Sequence, residues 1–504
     1  MSIRRKMAHG VVWMVCFKVL ERSLGMISVL VLARLLVPAD FGLVAMATSL
    51  IALLELFSAF GVDTALIQRT AASRDHYNAA WTLNALAGFA IGTSMIVLAI
   101  PLAAFYNEPR IRAVLCTLAA GAMIQGLENV GIVNFRKEMQ FDREFRFLLS
   151  KKCIGFAVTI PLAFAWRSYW ALVAGMVLSR AAGVTLSYVL HPFRPRFSLT
   201  AVGDLLHVSK WLMTQNLISF LRERSSDFVI GRIAGSHALG VFSVSAEISA
   251  MPGTELVAPI NRAILPAYVK LAQDLPALGR EYLSVMAMIA LVAVPAVAGS
   301  AATAPFLVLL VLGPAWVEAA MLLQILAFFG ITQVLQSNAY SAFLALGQHH
   351  VFVKINGMHV AILLPLVMLG TKFYGIEGAA WASVAAAMAA LPITLIMITR
   401  FLHLNGWQFV SHLWRPICSA AIMYIAVRTF GPPAPTAVIP TADAARSLLI
   451  CVAIGVPVYL LSVLAMWFLV GRPRGSVESW ILERIPDVLQ KARATLSGVL
   501  ARNG

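Results

Sequence analysis

Charged side chains inside apolar stretches are the residues of this chain best placed to do chemistry, and that chemistry is the binding of ions. Lys18, Glu21 and Arg22 lie three and four residues apart in an apolar run, so a helix places them on one face. Charges at membrane depth are costly and usually face a cavity or a partner. This face predicts the wall of an anion-binding cavity. The alternative is a locally neutralised cluster near the inner headgroups, with long side chains reaching toward water.

A second polar face lies in the apolar run near residues 205–230. At about 100° per residue, Arg222 shares a helical face with three polar side chains, and Glu223 borders it. The three are Gln215, Ser219 and Ser226. Arg222 is therefore the second predicted cavity cation. Arg224 falls on the other side of the helix and predicts a structural ion pair with Asp227, three residues on.

The remaining charges at span depth divide by sign. Arg180 would add to a basic binding site. The acids are either counter-ions of the basic side chains or groups that couple movement to a gradient of H⁺ or Na⁺. These acids are Glu55, Glu128, Glu247 and Glu255.

The sequence patterns of soluble enzymes are missing. The chain has no Walker A motif, no H-E-x-x-H and no G-x-S-x-G, and its histidines lack metal-ligand spacing. Its five cysteines are odd in number and lie in or beside apolar runs, so we interpret them as small hydrophobic residues. We therefore expect no catalytic residue, no metal and no cofactor. Without a P-loop, ATP bound to this chain cannot drive movement.

The elements that position these charges are membrane-spanning helices. The chain has 504 residues, of which 60% are apolar and 12% charged. About fourteen apolar runs are long enough to cross a hydrocarbon core, which predicts an all-α polytopic membrane protein with about fourteen transmembrane helices and no soluble domain. The runs lie near 11–33, 41–61, 80–103, 112–134, 148–166, 169–190, 205–230, 238–260, 281–303, 318–344, 352–373, 376–400, 412–430 and 446–470.

An internal repeat organises these runs. Arg34 is followed eight residues later by Gly42, and Arg232 eight residues later by Gly240, so both pairs are 198 residues apart. Apolar helical repeats of this kind are typical of secondary transporters, which bind cargo at the repeat interface. We predict two six-helix lobes over 1–195 and 196–404, two further transmembrane helices over 405–471, and a basic amphipathic tail over 472–504.

The net charge of +16 predicts a membrane orientation rather than binding to nucleic acid. With the N-terminus in the cytoplasm, about 26 of the 39 Lys and Arg residues fall on the inside, as the positive-inside rule requires. Fourteen spans return the C-terminus to the cytoplasm. An even number of spans per lobe relates the repeats by a pseudo-two-fold axis along the membrane normal.

Two basic segments on the inside are either interfacial helices that touch anionic membrane lipid or solvated loops that fix the topology. The first, 135–145, would place Phe135 and Met139 along one helical side, with Phe145 less well aligned. The second is the tail from about 476 to 500.

Several local motifs resemble those of a known family. The segment Ala33-Arg34-Leu35-Leu36-Val37-Pro38-Ala39-Asp40-Phe41-Gly42 resembles the first-loop motif of bacterial polysaccharide exporters. Further likenesses lie at 65–68, 81–84, 135–138 and 191–197. The chain is similar to Wzx-type (WzxC/ExoT-like) flippases of the multidrug/oligosaccharidyl-lipid/polysaccharide (MOP) superfamily. The likeness in motifs covers roughly the first 200 residues, and the likeness in span count covers the whole chain.

The resemblance implies two six-helix lobes in a V around a central cavity. It implies transport of an undecaprenyl-diphosphate-linked oligosaccharide from the inner to the outer leaflet of the bacterial inner membrane, for exopolysaccharide or lipopolysaccharide biosynthesis. The polymerase and export machinery of the polysaccharide would then be partners. Related flippases hold the diphosphate with cavity arginines and lysines, which Arg22, Lys18 and Arg222 match in kind.

Two other classes of function compete with this interpretation. A drug or cation antiporter of the same superfamily, similar to the MATE transporters, would favour an acidic and aromatic cavity. A membrane polymerase or ligase would generally need a long outward loop to hold its acceptor, and the sequence has none. The sign of the cavity charges discriminates the first alternative from a flippase, and the cations on the helices opening both repeats favour the flippase.

Overall fold

The computed structural model describes residues 3–58, 62–69, 72–205, 210–435 and 439–471. These residues form helices and short connections, and no strand occurs among them. The helices are α1 (Ile3–Leu35), α2 (Pro38–Ser58), α3 (Val62–Gln68), α4 (Arg74–Tyr106), α5 (Arg110–Gly126), α6 (Val133–Lys137), α7 (Phe141–Trp166), α8 (Trp170–Leu190), α9 (Val202–Leu205), α10 (Lys210–Pro252), α11 (Ala258–Leu271), α12 (Leu275–Ala302), α13 (Ala304–Val311), α14 (Glu318–Ala345), α15 (His349–Leu402), α16 (Gly406–Phe430) and α17 (Thr441–Leu469).

Length and apolarity identify the membrane-spanning helices. Within the described ranges, ten helices meet both criteria, or up to eleven if α5 and the bent continuation through α6 form one span. The prediction of an all-α, multi-pass membrane protein is confirmed. The predicted tail over 472–504, including its amphipathic helix, lies outside the described residues.

Two of the long helices break at a glycine. α10 has 43 residues and α15 has 54, and their backbones leave helical geometry at Gly235 (φ 83°) and Gly375 (φ 60°). An unbroken helix of 54 residues would extend about 80 Å, more than twice the thickness of a hydrocarbon core. Glycine adopts positive φ without steric cost. Each break lies where the sequence predicts one span to end and the next to begin.

The chain groups by its contacts into two compact units. The first comprises Met1–Val244, Val311–Ala319 and Val360–Ala382. In this unit α4 packs along α5, and α7 packs against both α8 and α1. The approach of α4 to α5 is close because Gly88 and Gly126 face each other, as small residues do between membrane helices.

The second compact unit comprises Ser245–Leu310, Ala320–His359 and Ser383–Gly504. Its core is built around α12, which packs along α16. The Tyr459 hydroxyl on α17 donates a hydrogen bond of 2.7 Å to the Leu291 carbonyl on α12. The predicted division into two six-helix repeats is a separate grouping from these units, and it stays a prediction.

Residues 135–145 do not form the single interfacial helix that was one of the two alternatives for this segment. α6 ends at Lys137, Met139 adopts a left-handed conformation (φ 57°), and α7 begins at Phe141. Phe135 and Phe145 are buried, whereas Met139 is exposed, so they do not form one membrane-facing side. The periodicity of the apolar residues concealed a turn that carries neither glycine nor proline.

Candidate functional site

The charged face of α1 contains a local ion pair. The Lys18 Nζ lies 2.8 Å from a carboxylate oxygen of Glu21, and the Lys18 side chain is 54% exposed. Arg22, one residue on, is partly buried. Together the three residues carry one net positive charge.

The charged face of α10 is similar. A guanidinium nitrogen of Arg222 lies 3.5 Å from a carboxylate oxygen of Glu223, and the Arg222 side chain is 30% exposed against 63% for Glu223. Ser219 is partly buried and Ser226 is buried, so the predicted polar stripe continues into the protein. The side chain of Gln215 lies outside the described residues.

Arg180 on α8 reaches α2. Its Nη2 lies 3.7 Å from a carboxylate oxygen of Glu55, and its side chain is 15% exposed. Its Nη1 is buried and has no hydrogen-bond acceptor among the described residues. Arg180 is therefore a nearly buried cation that Glu55 compensates, in the first compact unit.

Glu128, in the connection after α5, pairs with Lys151 on α7. The Lys151 Nζ lies 3.0 Å from a Glu128 carboxylate oxygen, and both side chains are largely buried. Lys151 reaches Glu128 by lying across Gly183 on α8, where a Cβ atom would approach its side chain to 2.7 Å. In the sequence, only the small residue at Gly183 indicates that a long side chain packs there.

The last two acids belong to the second compact unit. Glu247 and Glu255 are both exposed. Glu255 lies in a π-helical turn, Gly253–Val257, and accepts a hydrogen bond of 3.0 Å from the Thr254 hydroxyl. The other eight candidate residues all lie in the first compact unit.

The predicted ion pair between Arg224 and Asp227 is confirmed, at 3.4 Å. Asp227 also has a partner that no local pattern indicates. Its carboxylate accepts a hydrogen bond of 2.8 Å from the Ser49 hydroxyl on α2. Ser49 is fully buried and Asp227 is 7% exposed, so this is a buried carboxylate held between two membrane helices.

The glycines of the repeat motif touch each other. A Cβ atom on Gly42 would lie 1.7 Å from the Ser236 carbonyl oxygen, and one on Gly240 would lie 1.8 Å from the Pro38 carbonyl oxygen. Each carbonyl, like each glycine, is separated from its counterpart by the same 198 residues. The two contacts therefore correspond to each other, which is the arrangement that the predicted repeat would produce.

The residues before these glycines also have corresponding contacts. The Trp316 indole N–H donates a hydrogen bond of 2.8 Å to the Ala33 carbonyl, and Tyr106 packs against Gly231, the counterpart of Ala33. The Arg232 guanidinium lies over the Phe105 ring at 5.7 Å. The residues of this motif thus form contacts between segments that are distant in the sequence.

Two further family motifs meet in one place. The segment after α8 lies along α4, where the Phe197 ring packs on Trp81 with centroids 5.0 Å apart. The Asn78 side chain accepts a hydrogen bond of 3.0 Å from the Arg196 backbone N–H, and the Thr82 hydroxyl accepts one of 3.1 Å from that of Ser198. These contacts hold the segment after α8 against α4.

The fold is shared with solved structures of membrane transport proteins. The solved structure of the lipid II flippase MurJ in its inward closed conformation matches with a TM-score of 0.71, covering 90% of this chain and 99% of that one at 10% identity. An inward-facing MATE multidrug resistance transporter of the MOP superfamily matches with a TM-score of 0.60 at 14% identity, covering 77% and 96%.

Residues 31–321 match the family model described as polysaccharide biosynthesis protein, and the chain belongs to that family. It is 23% identical to the lipopolysaccharide biosynthesis protein WzxC of Escherichia coli, over 82% of this chain and 86% of that protein. It is 22% identical to the teichuronic acid biosynthesis protein TuaB of Bacillus subtilis, over 72% and 76%. The Wzx-type resemblance of the sequence motifs is confirmed.

Proposed function

We propose that this protein moves undecaprenyl-diphosphate-linked oligosaccharide units from the inner to the outer leaflet of the bacterial inner membrane. The observation that carries the proposal is the fold of a lipid flippase in a chain that belongs to a polysaccharide biosynthesis family. Movement across a membrane makes and breaks no covalent bond. Such movement requires a cavity that can hold the charged diphosphate. Arg22 and Arg222, on the first helix of each predicted repeat, would supply the positive charge.

Arg22 and Arg222 are the proposed diphosphate ligands. A guanidinium presents a planar fork of N–H donors that matches phosphate oxygens in pairs. Their neighbours Glu21 and Glu223 limit the net charge on each face, which favours release of the cargo as well as its capture. Lys18 and Arg180 extend the basic surface on α1 and α8.

The acids divide by their surroundings. Glu55 and Glu128 each lie within ion-pair distance of a cation, which supports a role as counter-ions. Glu247 and Glu255 are exposed and are the better candidates for coupling to a gradient of H⁺ or Na⁺. The polysaccharide polymerase and export machinery would take the cargo once it reaches the outer leaflet.

The proposed architecture has fourteen crossings. The breaks at Gly235 and Gly375 make two crossings each of α10 and α15, and the bent pair of α5 and α6 makes one. α1 adds one more crossing. Its charged residues keep it out of the set of helices identified by apolarity. Two six-helix lobes, arranged as a V, would then be followed by α16 and α17, with both termini in the cytoplasm.

The cargo that accumulates when the gene is deleted tests this proposal. A flippase acts after a lipid-linked unit is assembled and before it is polymerised. Deletion should therefore trap complete, unpolymerised undecaprenyl-linked units, measured by mass spectrometry, on the inner leaflet, where an impermeant lectin does not reach them. Units exposed outside would indicate a polymerase instead. Intact polysaccharide with raised sensitivity to cationic drugs would indicate an antiporter.

A further inference from the structure

The contact between α2 and the first half of α10 contains a buried acid that the proposed cargo site does not use. Asp227 is 7% exposed, and one carboxylate oxygen accepts from both the Ser49 hydroxyl, at 2.8 Å, and the Arg224 guanidinium, at 3.4 Å. Tyr106, at the end of α4, is the other titratable residue that faces this carboxylate. Its hydroxyl is buried and has no hydrogen-bond partner among the described residues.

We propose that Asp227 is a proton-binding site whose protonation loosens the contact between α2 and α10. An ionised carboxylate accepts hydrogen bonds only, and those it accepts are about twice as strong as neutral ones. Protonation removes the charge, turns one oxygen into a donor and ends the attraction of Arg224. The Ser49 hydroxyl can then return to a carbonyl of its own helix, as serines in helices commonly do.

Of the paired residues, the arginine is exposed and the carboxylate is not. The Arg224 side chain is 43% exposed, whereas that of Asp227 is 10% exposed. The arginine therefore extends from the buried carboxylate toward the surface. Beyond the break at Gly235, α2 also meets the second half of α10, where Gly42 and Gly240 bring the backbones into contact.

A buried thiol on α2 reports on this contact. Met46 is fully buried and packs near Gly231 on α10. In a chain whose five native cysteines are replaced by alanine, Met46→Cys should react slowly with a methanethiosulfonate reagent at pH 8. The rate, divided by that of the unfolded protein at the same pH, should rise several-fold as the pH falls to about 5.5.

Three variants separate the proton site from a structural role. Asp227→Asn should hold the thiol in its reactive state at every pH. Ser49→Ala removes a hydrogen bond to the charged form only, and should move the midpoint upward by about one pH unit. Asp142→Asn, which neutralises an exposed acid on α7, is the matched control and should leave the pH profile unchanged.

Either of two results would overturn the inference. One is a profile in Asp227→Asn that still follows the pH as the parent chain does. The other is a parent chain whose normalised rate is independent of pH. The thiol measurement needs no cargo, so it stands whether or not the proposed flippase function holds. A link between protonation of Asp227 and the movement of cargo would rest on the proposed flippase function.

Discussion

Most of the charged residues proposed for the cargo site lie beside an opposite charge. Lys18 pairs with Glu21, Arg180 with Glu55 and Lys151 with Glu128. The Arg180–Glu55 pair joins α8 to α2, and Glu55 is 49% exposed. The Lys151–Glu128 pair joins α7 to the connection after α5. Arg180, Lys151 and Glu128 are largely buried, and a buried charge depends on its partner. Removing one member would therefore destabilise the protein as well as change the proposed site.

The arginines proposed to bind the diphosphate give a residue-scale prediction. Arg22→Ala and Arg222→Ala should each reduce export about tenfold or more, because hydrogen bonds to charged groups contribute about 1.5–3 kcal/mol. Replacement by lysine should restore export only in part, since an ammonium lacks the planar fork. Export is measured as polymer at the cell surface, with the amount of inserted protein determined in parallel.

Arg146 provides the matched control. It forms an exposed pair with Asp142 one turn away on α7, and its side chain is 66% exposed. Exposed pairs of this kind contribute little to stability, so Arg146→Ala should export normally. Normal export by the Arg22→Ala, Arg222→Ala double variant would falsify the assignment of these residues to the cargo site.

Sequence reasoning at this scale finds short-range partners and misses long-range ones. The pair of Arg224 with Asp227 follows from their spacing of three residues on one helix. Ser49 donates to the same carboxylate from a position 178 residues away. Nothing in a single sequence connects two such positions, because the contact exists only after the helices pack.

At the scale of helices, the glycine pair of the repeat motif determines how α2 and α10 meet. Gly42→Ala and Gly240→Ala each place a methyl group inside contact distance of a backbone carbonyl. The helices must separate to admit it, which typically costs about 1–3 kcal/mol. Both variants should lower the midpoint of thermal unfolding in detergent, followed by the loss of monodisperse protein.

Gly25 on α1 is the control for this prediction. No atom lies within 4 Å of a Cβ built at that position. Gly25→Ala should leave the midpoint unchanged or raise it slightly, because alanine favours a helix by about 1 kcal/mol. Equal effects at Gly25 and Gly42 would show that helix propensity, and not the contact, is being measured.

The helices themselves were largely predictable. Apolar runs of about 20 residues identify spans because hydrocarbon thickness sets their length, and the breaks at Gly235 and Gly375 lie at predicted span boundaries. The turn at Met139 was missed because its left-handed residue is a methionine. The local sequence there resembles a helix, and packing of the flanking phenylalanines overrides it.

At the scale of the whole molecule, the distribution of basic residues predicts one orientation in the membrane. Cysteines introduced at Lys137 and Ser476 should react with impermeant reagents only from the cytoplasm, and one at Asn107 only from outside. The basis is the excess of lysine and arginine on one side, which sets topology during insertion. Labelling of Lys137 and Asn107 from the same side would contradict the orientation.

The class of fold and the family could be predicted from the sequence because both depend on features distributed along the chain. Span length, the repeat spacing and the loop motifs each survive at low identity. The cargo-binding site depends on which charged faces turn toward one another, and that arrangement is not encoded in any local pattern. The residues proposed for it therefore need direct tests.

The most direct test of the central claim is movement of cargo by the purified protein. Vesicles carrying undecaprenyl-diphosphate-linked oligosaccharide in both leaflets protect about half of it from an impermeant oxidant such as periodate. With the protein reconstituted, we expect the protected half to become oxidised at a rate that increases with protein per vesicle. The Arg22→Ala, Arg222→Ala double variant should leave it protected. Persistent protection with the native chain, in vesicles sealed and under an imposed proton gradient, would contradict the account.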